Sequence, residues 1–118
     1  MEQRTALFID NEEKILGALK RILVDEPYNT IFTTSGKEAL EILRNNQVQV
    51  VVTDMCMPVM GGLEILRKVK QEYPHVVRIV LSGFAEKQTL LWAINQGEIF
   101  RFIPKSNSSH KIRKGIFQ

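Results

Sequence analysis

Apolar residues in this chain recur with two alternating spacings, first every second residue and then about every 3.6 residues. The first spacing is typical of strands and the second of helices that bury one face. The pattern predicts five strands, at Thr5 to Ile9, Tyr28 to Thr33, Val48 to Thr53, Val76 to Leu81 and Ile99 to Ile103. Because a helical stretch follows each strand, we expect an α/β fold in which a parallel sheet carries helices on both faces.

Several helix ends carry capping signals. Ser35 and Glu38 have the spacing of a capping box. In this motif the serine hydroxyl accepts the backbone N–H of the glutamate, and the glutamate side chain accepts the backbone N–H of the serine. A fourth helix is expected from about Glu86 to Gln96, with Gly97 as its C-terminal cap. A short last helix should begin between Ser106 and Ser109.

The bulk composition limits the class of protein. A length of 118 residues with 44% hydrophobic content predicts one domain, residues 1–118, that forms a core without disulfides. Only one cysteine is present, and no apolar run approaches a membrane span or a secretion signal, which favours a cytoplasmic location and no membrane partner. The net charge is +3, but the basic residues are dispersed, so direct binding of nucleic acid by this domain is not expected.

Asp54 ends the apolar run Val50 to Thr53, which is typical of a strand buried on both faces. A loop containing Pro58 and the pair Gly61-Gly62 follows. Open α/β sheets place their chemistry at the carboxyl ends of such strands. We therefore expect the Asp54 carboxylate to be displayed on the rim of the sheet and not buried in the core.

Three other predicted strands are also followed by residues that can do chemistry. These exits carry the acidic segment Asp10-Asn11-Glu12, the pair Ser82-Gly83 and, after the fifth strand, Lys105. Parallel strands exit at one edge, so these groups should converge with Asp54. Carboxylate oxygens bind Mg²⁺, a hydroxyl and an ammonium stabilise phosphoryl oxygens, and a carboxylate can act as the nucleophile.

Together these segments resemble the receiver domain of two-component response regulators, and the resemblance covers essentially the whole chain. It is carried by Phe8 to Glu12, Asp54 to Gly62, Leu81 to Gly83 and Phe102 to Lys105. The resemblance implies a flavodoxin-like fold with strand order 2-1-3-4-5. It also implies a switch that accepts a phosphoryl group from a histidine kinase and is not itself a classical enzyme.

The resemblance assigns Asp54 as the phosphoacceptor. Mg²⁺ would be held by Asp10, Asp54 and the backbone carbonyl of Cys56. The family usually has a second acidic residue where this chain has Asn11. An amide oxygen can coordinate the ion but brings no charge, so Asn11 is the weakest of these ligands and Mg²⁺ affinity should fall.

The resemblance assigns Ser82 and Lys105 to contact with the phosphoryl group. Ser82 and Phe102 would form the switch, with Phe102 as the aromatic ring whose rotation reports phosphorylation. Where the family commonly has a cis proline, this chain has Ser106. A cis bond before a residue other than proline costs about 2.5–4 kcal/mol, so we expect a trans bond or a strained turn there.

Two alternatives to a phosphorylation switch remain. One is a pseudo-receiver, an interaction module that takes little or no phosphate because Asn11 weakens the metal site. The other is a phosphotransferase with a DxD loop, which needs an acid two positions after the nucleophile. Cys56 stands at that position, which disfavours this enzyme class.

The segment from Ala93 to Phe102 resembles a receiver subgroup often joined to HD-type phosphodiesterase, kinase or transcriptional output domains. We expect the chain to be a fragment of a longer protein with a C-terminal output domain. The implied partners are a sensor histidine kinase or phosphotransfer protein, and an output domain or downstream protein. A homodimer through the last two helices and the fifth strand is left open.

Overall fold

The computed structural model describes residues 4–55, 57, 60–82, 99–105 and 108–117, and only the backbone of Ser82. The strands are β1 (Thr5–Ile9), β2 (Asn29–Thr33), β3 (Val50–Thr53), β4 (Val77–Ser82) and β5 (Arg101–Pro104). The described helices are α1 (Glu13–Leu23), α2 (Gly36–Asn45), α3 (Gly62–Glu72) and α4 (Ser109–Ile116). The helix predicted over residues 86–96 and its cap at Gly97 lie outside the described residues.

All five strands are parallel and lie in the order β2-β1-β3-β4-β5. This confirms the predicted flavodoxin-like topology. The predicted boundaries were wrong by one or two residues at several ends, because a buried residue beside a strand continues the apolar pattern. Val48, for example, is buried although β3 begins only at Val50.

The helices cover both faces of the sheet, as predicted. On one face α1 and α4 bury Leu16, Leu19, Ile112 and Ile116 among the side chains of the sheet. On the other face α2 and α3 bury Ala39, Leu43, Ile65 and Val69. Both faces of β3 are therefore covered, so Asp54 follows a strand that has no solvent-facing side.

The prediction of a capping box before α2 is confirmed for one of its two hydrogen bonds. The Ser35 hydroxyl accepts the Glu38 N–H at 3.2 Å, as the spacing predicts. The Ser35 N–H donates instead to the Thr33 hydroxyl at 3.2 Å, so Glu38 does not supply the reciprocal bond. Ser108 caps α4 in the same way, accepting the Lys111 N–H at 3.3 Å.

None of the helices in the described ranges is long and apolar enough to cross a membrane.

Candidate functional site

Asp10 and Asp54 are held at one edge of the sheet by backbone hydrogen bonds that continue the strand ladder past its last residues. The Asp10 N–H donates to the Thr33 carbonyl at 3.2 Å, and the Asp54 N–H donates to the Ile9 carbonyl at 3.0 Å. Asp10, which follows β1, is thus held by β2, and Asp54, which follows β3, is held by β1. This alignment of neighbouring strands brings together two carboxylates that are 44 positions apart in the chain.

Lys105 joins the two carboxylates. Its ammonium Nζ lies 2.7 Å from Asp10 Oδ2 and 3.3 Å from Asp54 Oδ2. The lysine directly follows β5, whose last residue, Pro104, is paired with Ser82 at the end of β4. Proline is tolerated there because β5 is paired on one side only within the described sheet.

The environment of Lys105 favours its charged form. Burial by itself lowers the pKa of Lys105, but the hydrogen bonds and negative charges of Asp10 and Asp54 outweigh that effect. The net result is a pKa above the ordinary value of 10.5. The site therefore contains a permanent cation between two carboxylates at neutral pH.

The two carboxylates are more buried than the sequence predicts. We expected Asp54 to be displayed on the rim, yet the residue is 6% exposed and Asp10 is 3% exposed. The position at the sheet edge is right, but the expected exposure is wrong. Lys105 lies across both groups and shields them from solvent.

The second oxygen of Asp10 has its own partner. Oδ1 of Asp10 accepts the Glu12 N–H at 2.9 Å. Glu12 is the residue before the first turn of α1, and its own side chain makes no capping hydrogen bond. Asp10 is thus oriented by the start of a helix as well as by Lys105, an arrangement that the sequence analysis missed although Asp commonly bonds the N–H two residues on.

The loop after Asp54 closes tightly at Gly62. The Gly62 N–H donates to the Met55 carbonyl at 3.2 Å. A Cβ on Gly62 would overlap the Asp54 carbonyl oxygen and lie 2.9 Å from Met55 Cα. Gly62 is therefore a positioning residue for the backbone that carries Asp54, whereas the sequence analysis used it only as a sign of a loop.

The remaining predicted site residues differ in how far the structure describes them. Phe102 in β5 is partly buried and packs against the buried cluster of Leu66, Val80 and Ile99, on the sheet face that α3 covers. Asn11 is exposed at the exit of β1. The backbone of Ser82 ends β4 beside Pro104, but its side chain, Cys56 and the bond between Lys105 and Ser106 lie outside the described parts.

The donor set at this edge fits a divalent cation with few protein ligands. One ammonium contacts both Asp10 and Asp54, so one cation can reach both carboxylates. Among the described residues, no group of three or more His, Cys, Asp or Glu side chains is placed to hold a metal. That result agrees with an amide at position 11. A hard cation such as Mg²⁺ suits two carboxylates because it keeps several of its own waters.

Comparison with known proteins identifies the family. The family model of the response regulator receiver domain matches residues 6–117. The chain is 34% identical over 104 residues to the hydrogenase transcriptional regulatory protein HoxA of Cupriavidus necator, which covers 88% of this chain and 21% of that protein. The chain thus spans about a fifth of the length of this curated relative.

Solved structures agree with the family model. An uncharacterized protein from Neptuniibacter caesariensis superposes with a TM-score of 0.88 at 40% identity, covering 94% of this chain and 82% of that one. The signal receiver domain of an HD domain-containing protein from Pseudomonas fluorescens Pf-5 gives a TM-score of 0.89 at 30% identity, covering 96% and 90%. With this fold, and with the acidic exits of β1 and β3 bridged by the lysine after β5, the chain belongs to the response regulator receiver domains of two-component systems.

Proposed function

We propose that Asp54 is the phosphoacceptor of this receiver domain and that Asp10 and Lys105 assist the transfer. The observation that carries this proposal is the contact of one ammonium with both carboxylates, at 2.7 and 3.3 Å. A carboxylate oxygen of Asp54 attacks phosphorus, and the bond between phosphorus and the donor breaks. The donor is the phosphohistidine of a sensor histidine kinase or of a phosphotransfer protein.

Asp10, Asp54 and the Cys56 carbonyl would hold Mg²⁺, with Asn11 as the weakest ligand. The ion, when bound, neutralises charge on the phosphoryl oxygens. Lys105 keeps its proton and can turn from Asp10 to the new phosphoryl oxygens, because it already lies within hydrogen-bond distance of Asp54. Asp10, whose Oδ1 accepts the Glu12 N–H, would then be available to hold the cation.

Phosphorylation adds roughly −1.5 to −2 charge at the sheet edge. That charge attracts Lys105 and, in this proposal, the Ser82 hydroxyl. Ser82 is the last residue of β4, and Lys105 directly follows β5, the strand that carries Phe102. The phosphoryl group thereby favours one arrangement of the β4–β5 edge over another, and Phe102 reports the change to an output domain or partner protein.

The whole protein is proposed to join this receiver to a C-terminal output domain. The support is that HoxA, a transcriptional regulatory protein, extends far beyond the matched region, and that one similar structure is the receiver of an HD domain-containing protein. In this proposal the domain is cytoplasmic, acts as a switch and not as an enzyme in its own right, and contacts neither nucleic acid nor membrane. A homodimer through the β5 side remains a further prediction.

One observation favours the pseudo-receiver alternative. The Lys105 ammonium contacts both carboxylates, and Asn11 adds no charge to attract a metal ion. The two functions differ in one result. A switch gains a phosphoryl group on Asp54 under conditions in which a pseudo-receiver gains none.

Phosphorylation of Asp54 is tested by incubating the chain with a small-molecule phosphodonor and Mg²⁺ and measuring the intact mass. We expect the wild type to gain the mass of one phosphoryl group and Asp54→Asn to gain none, since an amide is not a nucleophile here. Asp25→Asn, which removes an exposed carboxylate elsewhere, should label like the wild type. Equal labelling of wild type and Asp54→Asn would refute the assignment, and no labelling of the wild type would support the pseudo-receiver.

A further inference from the structure

A cavity of about 300 Å³ lies at the opposite edge of the sheet from Asp54. It is formed where β1 and β2 begin, by Arg4 and Tyr28, and is closed by the end of α4 and by Phe117. Because parallel strands start at the edge opposite to their exits, this cavity is separate from the phosphoacceptor site.

The charges around this cavity are unbalanced. Arg4, Arg113 and Lys114 line it together with His110, and Glu26 is the one acidic side chain among the described residues that line it. Glu26 lies 3.9 Å from Arg113, a long ion pair that leaves the other two permanent cations without this partner. Arg4 comes from the start of the chain, and Arg113 and Lys114 come from its last helix. The positive charge at the cavity therefore arises from folding and not from a single run of basic residues.

Tyr28 provides a second, independent observation. The residue is 8% exposed, and its buried hydroxyl has no hydrogen-bond partner in the described structure. Burial and, to a lesser extent, the charge of Glu26 raise the pKa of Tyr28 to about 12, against the opposing effect of Arg4. The hydroxyl therefore stays protonated at neutral pH. A buried donor without an acceptor is unfavourable, so it indicates a missing partner.

The geometry around Phe117 leaves donors available. The Arg4 guanidinium lies over the Phe117 ring, 4.3 Å from its centre, and the Tyr28 ring is 4.5 Å from the same ring. Stacking uses the face of a guanidinium and leaves its N–H edge free to donate to oxygens. The Tyr28 hydroxyl is buried, so a ligand would reach it only when the side chains around it shift.

We propose that this cavity binds a small oxyanion, a phosphate or carboxylate compound, between Arg4, Arg113 and Lys114, with the Tyr28 hydroxyl donating to one of its oxygens. Arginine is suited to both anions because its planar fork can make two parallel hydrogen bonds to them. The site would give the domain a second input that does not depend on phosphorylation of Asp54.

The proposal is tested with inorganic phosphate as the probe, at constant ionic strength and without Mg²⁺, by following backbone amide NMR signals. We expect saturable shifts at the amides of residues 4, 28 and 110–117 and none at residues 10, 54 and 105. Sulfate and succinate titrations in parallel arms show whether the site prefers phosphate or carboxylate chemistry. Shifts confined to the Asp54 edge, or shifts that never saturate, would overturn the proposal.

Three variants test the residues. Lys114→Gln and Arg4→Gln change exposed side chains and should keep the fold while weakening phosphate binding about tenfold each. Tyr28→Phe should bind more weakly, yet be at least as stable as the wild type without phosphate, because it removes an unpaired hydroxyl. Arg44→Gln, an exposed arginine on α2, is the control for loss of one positive charge. If Lys114→Gln, Arg4→Gln and Tyr28→Phe all bind phosphate like the Arg44→Gln control, the site does not exist.

Discussion

At Asp10 the two carboxylate oxygens have different partners, a backbone N–H on Oδ1 and the Lys105 ammonium on Oδ2. Lys105 Nζ lies 2.7 Å from the Asp10 carboxylate and 3.3 Å from the Asp54 carboxylate, so its closer contact is with Asp10. A metal ion held by the Asp10 carboxylate, as proposed, would compete with Lys105 for it. The balance between the two would then depend on the number of other charged ligands, and position 11 would be one of them.

Asn11→Asp should raise Mg²⁺ affinity by about tenfold, because it adds a charged oxygen ligand to a site with two carboxylates. Calorimetric titration with Mg²⁺ measures the affinity. Asn29→Asp adds the same charge at the start of β2, on the other edge of the sheet, and should leave Mg²⁺ binding unchanged. An unaltered or weaker affinity in Asn11→Asp would contradict the role given to this position.

Lys105→Met should lower the free energy of unfolding by about 3 kcal/mol at neutral pH, because it leaves two buried carboxylates without their cation. The pKa of Lys105 is raised in the folded state, so the unfolded chain loses this proton first as the pH increases. The stabilisation by Lys105 is therefore complete below pH 10.5 and is lost as the pH rises through the higher folded pKa.

Urea unfolding of wild type and Lys105→Met across this range tests the sign. The difference in free energy of unfolding between the two proteins should be constant from neutral pH to pH 10.5 and should shrink above it. Lys68→Met, which removes an exposed lysine on α3, controls for general effects of alkali. A difference that grows with pH would be incompatible with the contacts of Lys105.

At the scale of elements, α3 approaches the end of β3 more closely than a side chain would allow. Gly62 begins α3, and its Cα faces the Asp54 carbonyl, whereas a Cβ on the neighbouring Gly61 would meet only the Met55 carbonyl oxygen, at 3.8 Å. The two adjacent glycines thus differ sharply in the space around them. The contact fixes the loop that follows Asp54 to the first turn of the next helix.

Gly62→Ala should lower the free energy of unfolding by at least about 2 kcal/mol, since the clash is with backbone that cannot rotate away. Gly61→Ala is the matched control and should change it by less than about 0.5 kcal/mol. Chemical unfolding of both variants measures the difference. If the two variants are equally stable, the close approach of α3 to Asp54 is not a constraint on the fold.

Across the domain, Lys105 connects the edge of the sheet that holds Asp10 and Asp54 to β5 and α4. It follows β5 directly, and Arg101 at the start of β5 donates to the Gly115 carbonyl of α4 at 3.0 Å. Ile103 and Ile112 lie in the same buried cluster beneath α4. Movement of Lys105 toward a phosphoryl group would therefore shift β5 and change its packing against α4.

Beryllofluoride, a mimic of the phosphoryl group, should change amide-exchange protection along residues 101–104 and 109–116 in the wild type. Lys105→Ala should still bind the mimic at Asp54, yet show much smaller changes on β5 and α4, because the link from the acceptor to β5 is gone. Hydrogen-exchange mass spectrometry with and without the mimic measures both. Protection changes of equal size in the two proteins would exclude Lys105 as the connection and leave Asp54 as the acceptor.

Local patterns in the sequence were enough to determine the order and type of the described elements, because the spacing of apolar residues is set by the strand or helix that contains them. They also placed Asp10, Asp54 and Lys105 at strand ends, and the common exit edge of parallel strands then implied that these residues converge. The strand order came only from the resemblance to receiver domains. The Ser35 cap was likewise predicted, because its partner is only three residues away.

Other features follow from tertiary packing alone. They are the burial of Asp54, the shorter contact of Lys105 with Asp10 and the fit of Gly62 against the Asp54 carbonyl. The Tyr28 hydroxyl, which has no hydrogen-bond partner among the described residues, is another. The contact between Lys105 and Asp54, for example, joins residues 51 positions apart. Such features depend on distances of a few tenths of an ångström between segments that no local pattern relates. They are fixed when helices and strands pack, because close packing determines which polar groups lose contact with water and which partners remain within reach.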